Sequence, residues 1–208
     1  MYLPNYFAVN DPDRLLNLIE ANPLATIVRQ GEGGLDADHI PLLVETNDDG
    51  LLLCGHVARA NPLARQDGVA VLAVFNGPDA YVSPAWYPSK TADPRVVPTW
   101  NYVVAHARGT LRTIDDAGWI RRHVATLSAW HETAAGSDWT IDDAPADFID
   151  RLVGAIVGIE ITVTKLEGKF KLSQNRSEAD RLGAVAGLRS VGRGKATLLA
   201  GWMAAGAL

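Results

Sequence analysis

Most of the side chains in this chain that could bind a ligand fall into five short stretches. They are His39–Ile40–Pro41, GHVARANP at 55–62, YVSPAWY at 81–87, VPTWNY at 97–102 and KFKLSQNR at 169–176. Trp86, Tyr87, Trp100 and Tyr102 offer flat faces on which a planar ring could stack. Arg59, Lys169, Lys171 and Arg176 could neutralise a phosphate. The Asn and Gln amides can read the donors and acceptors of a heterocycle. Together these residue types suit a flat, anionic ligand. The same composition also fits aromatics that are simply core and cations that are simply solvated, and residue types alone leave both readings open.

Other chemistries are excluded by spacing. Gly31-x-Gly33 is followed by a strand pattern, where a dinucleotide loop needs a helix, so it reads as a hairpin turn. Six residues before Lys195 stands Arg189, where a phosphate loop needs glycine, so that segment reads as a turn between helices. His131–Glu132 opens like a zinc-protease helix, but Ala135 stands where the second histidine belongs. Gly-x-Ser-x-Gly is absent, so no nucleophile elbow forms. The single cysteine, Cys54, cannot make an internal disulfide or a Cys-pair metal site.

The elements that must position the five stretches can be read from periodicity. Asp11–Asn22 is a helix, with a capping Asn10 or Asp11, Pro12 in its first turn and a stripe of Leu15, Leu16, Leu18 and Ile19. Leu24–Arg29, His39–Val44 and Leu51–His56 are short apolar runs separated by Gly- and Asp-rich turns, as in an antiparallel meander. Val69–Phe75 is apolar at every position, as a strand covered on both faces would be. Asn76–Asp79 reads as a turn, with Tyr81–Val82 its hairpin partner. Pro84–Pro98 holds four prolines and no periodicity, so it reads as a loop, and loops of that length are commonly functional. Thr99–Leu111 and Ile156–Leu166 read as strands, the second alternating cleanly. Asp115–Trp130, Ala144–Arg151, Ser177–Leu188 and Ser190–Ala205 read as helices. About seven strands and four or five helices, without strict βαβ alternation, predict an α+β antiparallel barrel with helices around it. The five stretches lie near strand ends, where such barrels meet ligands.

Composition sets the outer bounds. The chain has 208 residues, 48% apolar and 21% charged, which is ordinary for a globular protein. Nineteen Lys and Arg against 24 Asp and Glu give −5, so bulk charge does not favour nucleic acid. MYLPNYFAVNDPDR lacks the basic start and apolar run of a signal peptide. No stretch is long and apolar enough to span a bilayer, so a cytoplasmic location is expected.

On these motifs the chain resembles the PaiB-type FMN-binding negative transcriptional regulators, a family of the flavin split-barrel superfamily. The likeness runs in order through Met1–Pro4 with Phe7, HIPL at 39–42, GHVARANP, FNGPDAYVSPAWY at 75–87, VPTWNY and KLSQNR at 171–176. Ala37–Asp38 departs from it, standing where relatives tend to carry Ala-Thr. The resemblance implies a split barrel over residues 1–175 with a helical extension over 176–208. It implies a homodimer holding FMN at its interface. His39, Ile40, Pro41 and Leu42 would then run beside the isoalloxazine. His56, Ala58, Arg59 and Asn61 would approach the phosphate, with Arg59 making the charged contact. Trp100, Asn101, Lys171 and Gln174 would close the site, from the same or the partner subunit.

The resemblance implies an FMN-binding negative regulator or flavin sensor. Direct DNA contact has weak support, because no basic face accompanies the acidic charge. Arg181, Arg189, Arg193 and Lys195 sit on the two terminal helices, which read as a packing pair rather than a DNA-reading one. A flavin-dependent oxidoreductase using a nicotinamide or deazaflavin donor is the second reading. Haem handling is a third, although His39, His56, His106, His123 and His131 show no spacing that singles out an axial ligand.

Overall fold

The structure is a computed structural model, describing residues 1–48 and 50–205. Its strands are β1 (Ala8–Val9), β2 (Leu24–Gly31), β3 (Gly34–Pro41), β4 (Leu43–Asn47), β5 (Gly50–Ala58), β6 (Val69–Val82), β7 (Thr99–Ile114) and β8 (Ile156–Lys171). Its helices are α1 (Pro12–Ala21), α2 (Ala117–Ala135), α3 (Ala146–Gly154), α4 (Glu178–Val191) and α5 (Gly194–Ala204). The eight strands form one sheet in the order β3-β2-β6-β7-β8-β5-β4, with β1 also paired to β8. The pairs β1–β8, β2–β3, β2–β6, β4–β5 and β5–β8 are antiparallel. Two compact units divide the chain, and β6, β7 and β8 each contribute residues to both.

The first unit comprises Met1–Asn22, Phe75–His106 and Glu167–Leu208. Asp11 caps α1, its carboxylate accepting from the N–H of Asp13 at 3.0 Å and of Arg14 at 3.4 Å. Leu15, Leu18 and Ile19 form the buried stripe of that helix. Gly192, at φ 63°, ends α4 in the left-handed conformation and turns the chain into α5. Helix α4 holds down the proline-rich segment. Asp180 accepts from the backbone N–H of Ser89 at 3.0 Å and from its hydroxyl at 2.8 Å. The Trp86 indole lies directly against Gly187, and the Trp86 carbonyl against Gly183.

The second unit comprises Pro23–Val74 and Ala107–Leu166. Strands β2 and β3 form a hairpin in which Gly31 pairs with Gly34, and Gly34 at φ 119° makes the turn. Strand β5 pairs with β8 from Leu52↔Thr162 to Ala58↔Ile156. Helices α2 and α3 share an apolar cluster of Ile120, Ile141, Ile149 and Val153, with Trp119 and Ile156 packed against it.

Several boundaries differ from the sequence reading. Residues 76–79 are no turn, and β6 runs unbroken to Val82. Gly77 supplies close approach instead of a bend: a Cβ there would strike Val103 and come within 2.8 Å of Leu18. The run His39–Val44 is broken at Leu42, whose N–H turns to the Pro23 carbonyl at 2.9 Å. Gly55 makes the break possible, since a Cβ there would meet Leu42 at 2.7 Å and the Pro41 carbonyl at 3.1 Å. Strand β8 runs on to Lys171, and α2 runs on to Ala135, where Gly136 at φ 74° ends it.

Candidate functional site

In the second unit a cavity of about 310 Å³ opens between the end of β3 and the end of β5. Six of the twelve residues expected at a cofactor line it: His39, Ile40, Pro41, His56, Ala58 and Asn61. Ile40, Val57 and Ile156 give it apolar walls. Leu42 is not on the wall; it is buried against Gly55. His39 has its Nδ1 3.1 Å from the Thr26 hydroxyl, a pairing across the β2–β3 hairpin.

The charges at this cavity are already coordinated. The Asn61 amide donates to Asp38 Oδ1 at 2.7 Å, and Asn61 Oδ1 accepts from the Leu63 N–H at 2.8 Å. Asp38 Oδ2 in turn accepts from Arg29 at 3.3 Å. Arg59 grips Asp115 with two bonds of 2.7 Å and also donates to the carbonyls of Gly154 and Ile156. Those contacts use four of its five N–H groups. The bonds from Arg59 hold the Asp115 carboxyl below its ordinary range and raise the guanidinium. A phosphate contact from Arg59 therefore competes with its tie to Asp115.

Behind the cavity lies a feature that sequence reading missed. His56 meets His123 of α2 edge to face, centroids 5.4 Å apart, and His123 stacks on Trp119 at 5.1 Å. His123 is 4% exposed, and neither ring nitrogen has a partner; His56 Nδ1 is also buried and unpartnered. Burial, then the neighbouring His56, pushes His123 down to about 4. Burial lowers His56 as well. Both imidazoles are neutral near pH 7. The spacing of Trp119 and His123, four apart on a helix, was the available signal. Cys54 is buried, and desolvation followed by Glu45 and Glu160 raises its thiol to about 12, which leaves it inert.

The other expected residues gather in the first unit. Asn101 donates from Nδ2 to the Ser173 hydroxyl at 2.8 Å, and its Oδ1 is buried without a partner. Ser173 sits at φ 65°, a left-handed conformation that turns the chain out of β8. Gln174 pins that turn, accepting from the Leu172 N–H at 2.7 Å and donating to the Phe170 carbonyl. Lys171 donates to the Thr99 hydroxyl. Burial, then the charges of Lys169 and Arg176, lowers the Lys171 ammonium. Lys169 Nζ lies 5.6 Å from the Tyr2 ring centroid and 5.5 Å from that of Tyr102; Arg176 stacks over Tyr87. Trp100 is 55% exposed and meets Tyr81 edge to face. The twelve residues thus form two groups, one in each unit.

Residues 1–165 match the sequence profile of the family described as "Putative FMN-binding domain". The chain belongs to that family. FMN is accordingly its cofactor. An uncharacterised protein of Emericella nidulans is 34% identical over 92% of this chain and 92% of its own. "Protease synthase and sporulation protein PAI 2" of Bacillus subtilis is 30% identical over 91% of this chain and 90% of its own. The flavocytochrome Anf3 of Azotobacter vinelandii aligns with a TM-score of 0.62 at 13% identity, over 86% of this chain and 78% of that one. The FAD and haem binding protein of Mycobacterium smegmatis aligns at 0.59 and 16% identity, over 85% and 79%. These last two likenesses show the fold, the α+β split barrel that the motifs implied.

The residues present suit a flavin. The cavity of the second unit has apolar walls for a ring, from Ile40, Val57 and Ile156, and polar side chains on its lining, from His39, His56 and Asn61. The Lys169, Lys171 and Arg176 cations of the first unit suit a phosphate, because both charges that act on Lys171 are positive.

Proposed function

We propose that this FMN-binding split-barrel protein is a cytoplasmic, homodimeric flavin sensor with a negative regulatory output. The observation that carries the reading is the convergence of His39, Ile40, Pro41, His56, Ala58 and Asn61 on one cavity in a chain of the FMN-binding family. The isoalloxazine lies along the ends of β3 and β5, against Ile40, Val57 and Ile156. Backbone groups of His39–Pro41 pair with its polar edge, and His56 lines the cavity beside it. From the other subunit of the dimer, Lys169, Lys171 and Arg176 neutralise the phosphate, with Asn101 and Gln174 holding their turn in place and Trp100 covering the ring. FMN, when bound, supplies reversible acceptance of electrons. The protein's part is to bind it, orient it and limit its contact with water.

The regulatory reading rests on the family resemblance and on the Bacillus subtilis relative, whose name refers to protease synthesis and sporulation. The cations of the terminal helices do not favour direct contact with DNA. Arg181 donates to the Met203 carbonyl at 3.0 Å, and Lys195 pairs with Asp79 at 2.7 Å. With a net charge of −5, the output is better carried by a protein or metabolite than by an operator. No helix among the described residues is long and apolar enough to cross a membrane.

Titration of flavin-free protein with FMN and with riboflavin tests the site. Saturable quenching of flavin fluorescence is expected, tighter for FMN than for riboflavin; failure to take up either removes the assignment. Mixing the FMN-loaded protein with reduced nicotinamide and with promoter DNA tests the output. A sensor stays yellow on the time scale of turnover and leaves the DNA unretarded at physiological salt. Rapid bleaching would instead make the chain an oxidoreductase.

A further inference from the structure

The cavity that we assign to the flavin ring carries a carboxylate. Asp38 lies on its lining with His39, His56 and Asn61, and the Asp38 side chain is 20% exposed. Among the described residues on that lining there is no Lys or Arg. Burial lowers the His56 imidazole and keeps it neutral near pH 7. The cations that we assign to the phosphate belong to the first unit. Nor is Asp38 fully neutralised by its ion pair. Its Oδ2 accepts from Arg29 at 3.3 Å, but the same guanidinium nitrogen bonds Asp36 more closely, at 3.0 Å. One cation therefore serves two carboxylates, and the three groups keep a net negative charge. Of the three, Asp38 alone lines this cavity; Arg29 and Asp36 line the neighbouring groove. Asp38 Oδ1 takes its bond from the Asn61 amide at 2.7 Å, a neutral donor that fixes the carboxylate in place without cancelling its charge.

We infer that Asp38 makes this site discriminate between the oxidation states of its flavin, disfavouring the reduced form. The inference rests on the reading of this cavity as the ring site. Hydride uptake from a donor adds two electrons and one proton, and leaves a flavin ring with one more negative charge. A neighbouring carboxylate repels that charge, and more strongly beside apolar walls such as Ile40, Val57 and Ile156 than in water. The oxidised ring is uncharged and meets no such repulsion. Reduction by a hydride donor then loosens the hold on the cofactor, which is a signal that a flavin sensor can pass on.

The midpoint potential of bound FMN tests this, read by anaerobic dithionite titration against a reference dye at pH 8, above the ordinary histidine range. Fluorescence titration gives the affinity for oxidised FMN alongside. Asp38→Asn removes the charge at the same size. It should raise the potential by about 30 mV, a relative gain of about tenfold for the reduced form, while the affinity for oxidised FMN changes less. A merely structural loss would weaken both forms alike and leave the potential unmoved. Asp38→Thr, neutral and suited to a strand, should shift the potential in the same direction and serves if the asparagine variant folds poorly. Asp36→Asn is the control: it removes one charge from the same network, but roughly 7 Å further along β3 and off the cavity lining, so it should shift the potential less. A parent that takes up no FMN would overturn the flavin reading and this inference together. A parent that binds FMN, with variants at Asp38 that leave the potential unchanged or shift it no more than Asp36→Asn, would overturn the inference alone.

Discussion

His123 is buried between Trp119 and His56 with neither nitrogen bonded, so the folded protein resists its protonation. Its folded value is about 4, against 6.5 for the free side chain. Above pH 6.5 the group is neutral in both states and adds no pH dependence. As pH falls from 6.5 toward 4, only the unfolded chain takes up the proton, so stability is lost across that window. About two and a half units correspond to a loss on the order of 3 kcal/mol. Denaturant midpoints measured from pH 7 to pH 4.5 should fall steeply in the parent and less steeply in His123→Phe, which keeps the stack on Trp119. Equal slopes would mean that the ring is hydrated. Asp115 has a depressed carboxyl too, through its bonds from Arg59. Its stabilising contribution is present above the ordinary carboxylate range and is lost only in stronger acid. Arg59→Ala should therefore lower the melting temperature at pH 7 and remove that acid-side dependence, while a control Arg95→Ala, at an exposed pair with Asp93, should do little. The sequence signalled Arg59 as an available cation. It could not signal Asp115, because the partner stands 56 positions away and only the fold joins them.

Among the elements, α4 and the segment after β6 depend on each other through two glycines. Gly183 and Gly187 are one turn apart on α4, and Trp86 fills the groove that they leave. Gly187→Ala puts a methyl into the indole ring. Overpacking of this kind costs about 1–3 kcal/mol, outweighing the roughly 1 kcal/mol that alanine gains in helix propensity. Urea unfolding should show the loss, and Trp86→Leu in the same chain should recover part of it. A Gly187→Ala protein as stable as the parent would mean that α4 does not clamp this segment. The case also separates what local pattern reveals from what it hides. The helices α1 and α4 and the Gly31–Gly34 hairpin carry their own caps, stripes and turn residues, so they were legible. The continuity of β6 was not, because Asn76–Gly77–Pro78–Asp79 has the composition of a turn. What overrides it is the close packing of Gly77 on Val103 and Leu18, a tertiary contact. Strand β8 was read short, ending at Leu166, for a similar reason: Glu167–Lys171 loses the apolar alternation but stays in the ladder, pairing β1 at Gly168 and Lys169.

For the whole molecule, the expected cofactor residues form two groups, His39 to Asn61 in one unit and Trp100 to Gln174 in the other. Their existence was legible because motif strings name residues. Their grouping was not, because long strands shared by both units decide it. In the homodimer that we propose, one flavin takes its ring contacts from one subunit and its closing and phosphate contacts from the other. Asn61→Ala and Lys171→Met, each purified alone, should then both weaken FMN binding. Charge-assisted phosphate contacts contribute about 1.5–3 kcal/mol, so Lys171→Met should cost about tenfold or more in affinity. Mixing the two variants in equal amounts under conditions of subunit exchange discriminates the arrangements. In a mixed dimer with shared sites, one site carries both substitutions and the other carries neither. Random pairing makes half of the dimers mixed, so about a quarter of all sites should regain parental affinity. If each flavin is held by a single subunit, every site keeps one substitution and none recovers. Fluorescence titration of the mixture against the two separate variants reads the difference directly, and a mixture that binds no better than its components would overturn the shared site.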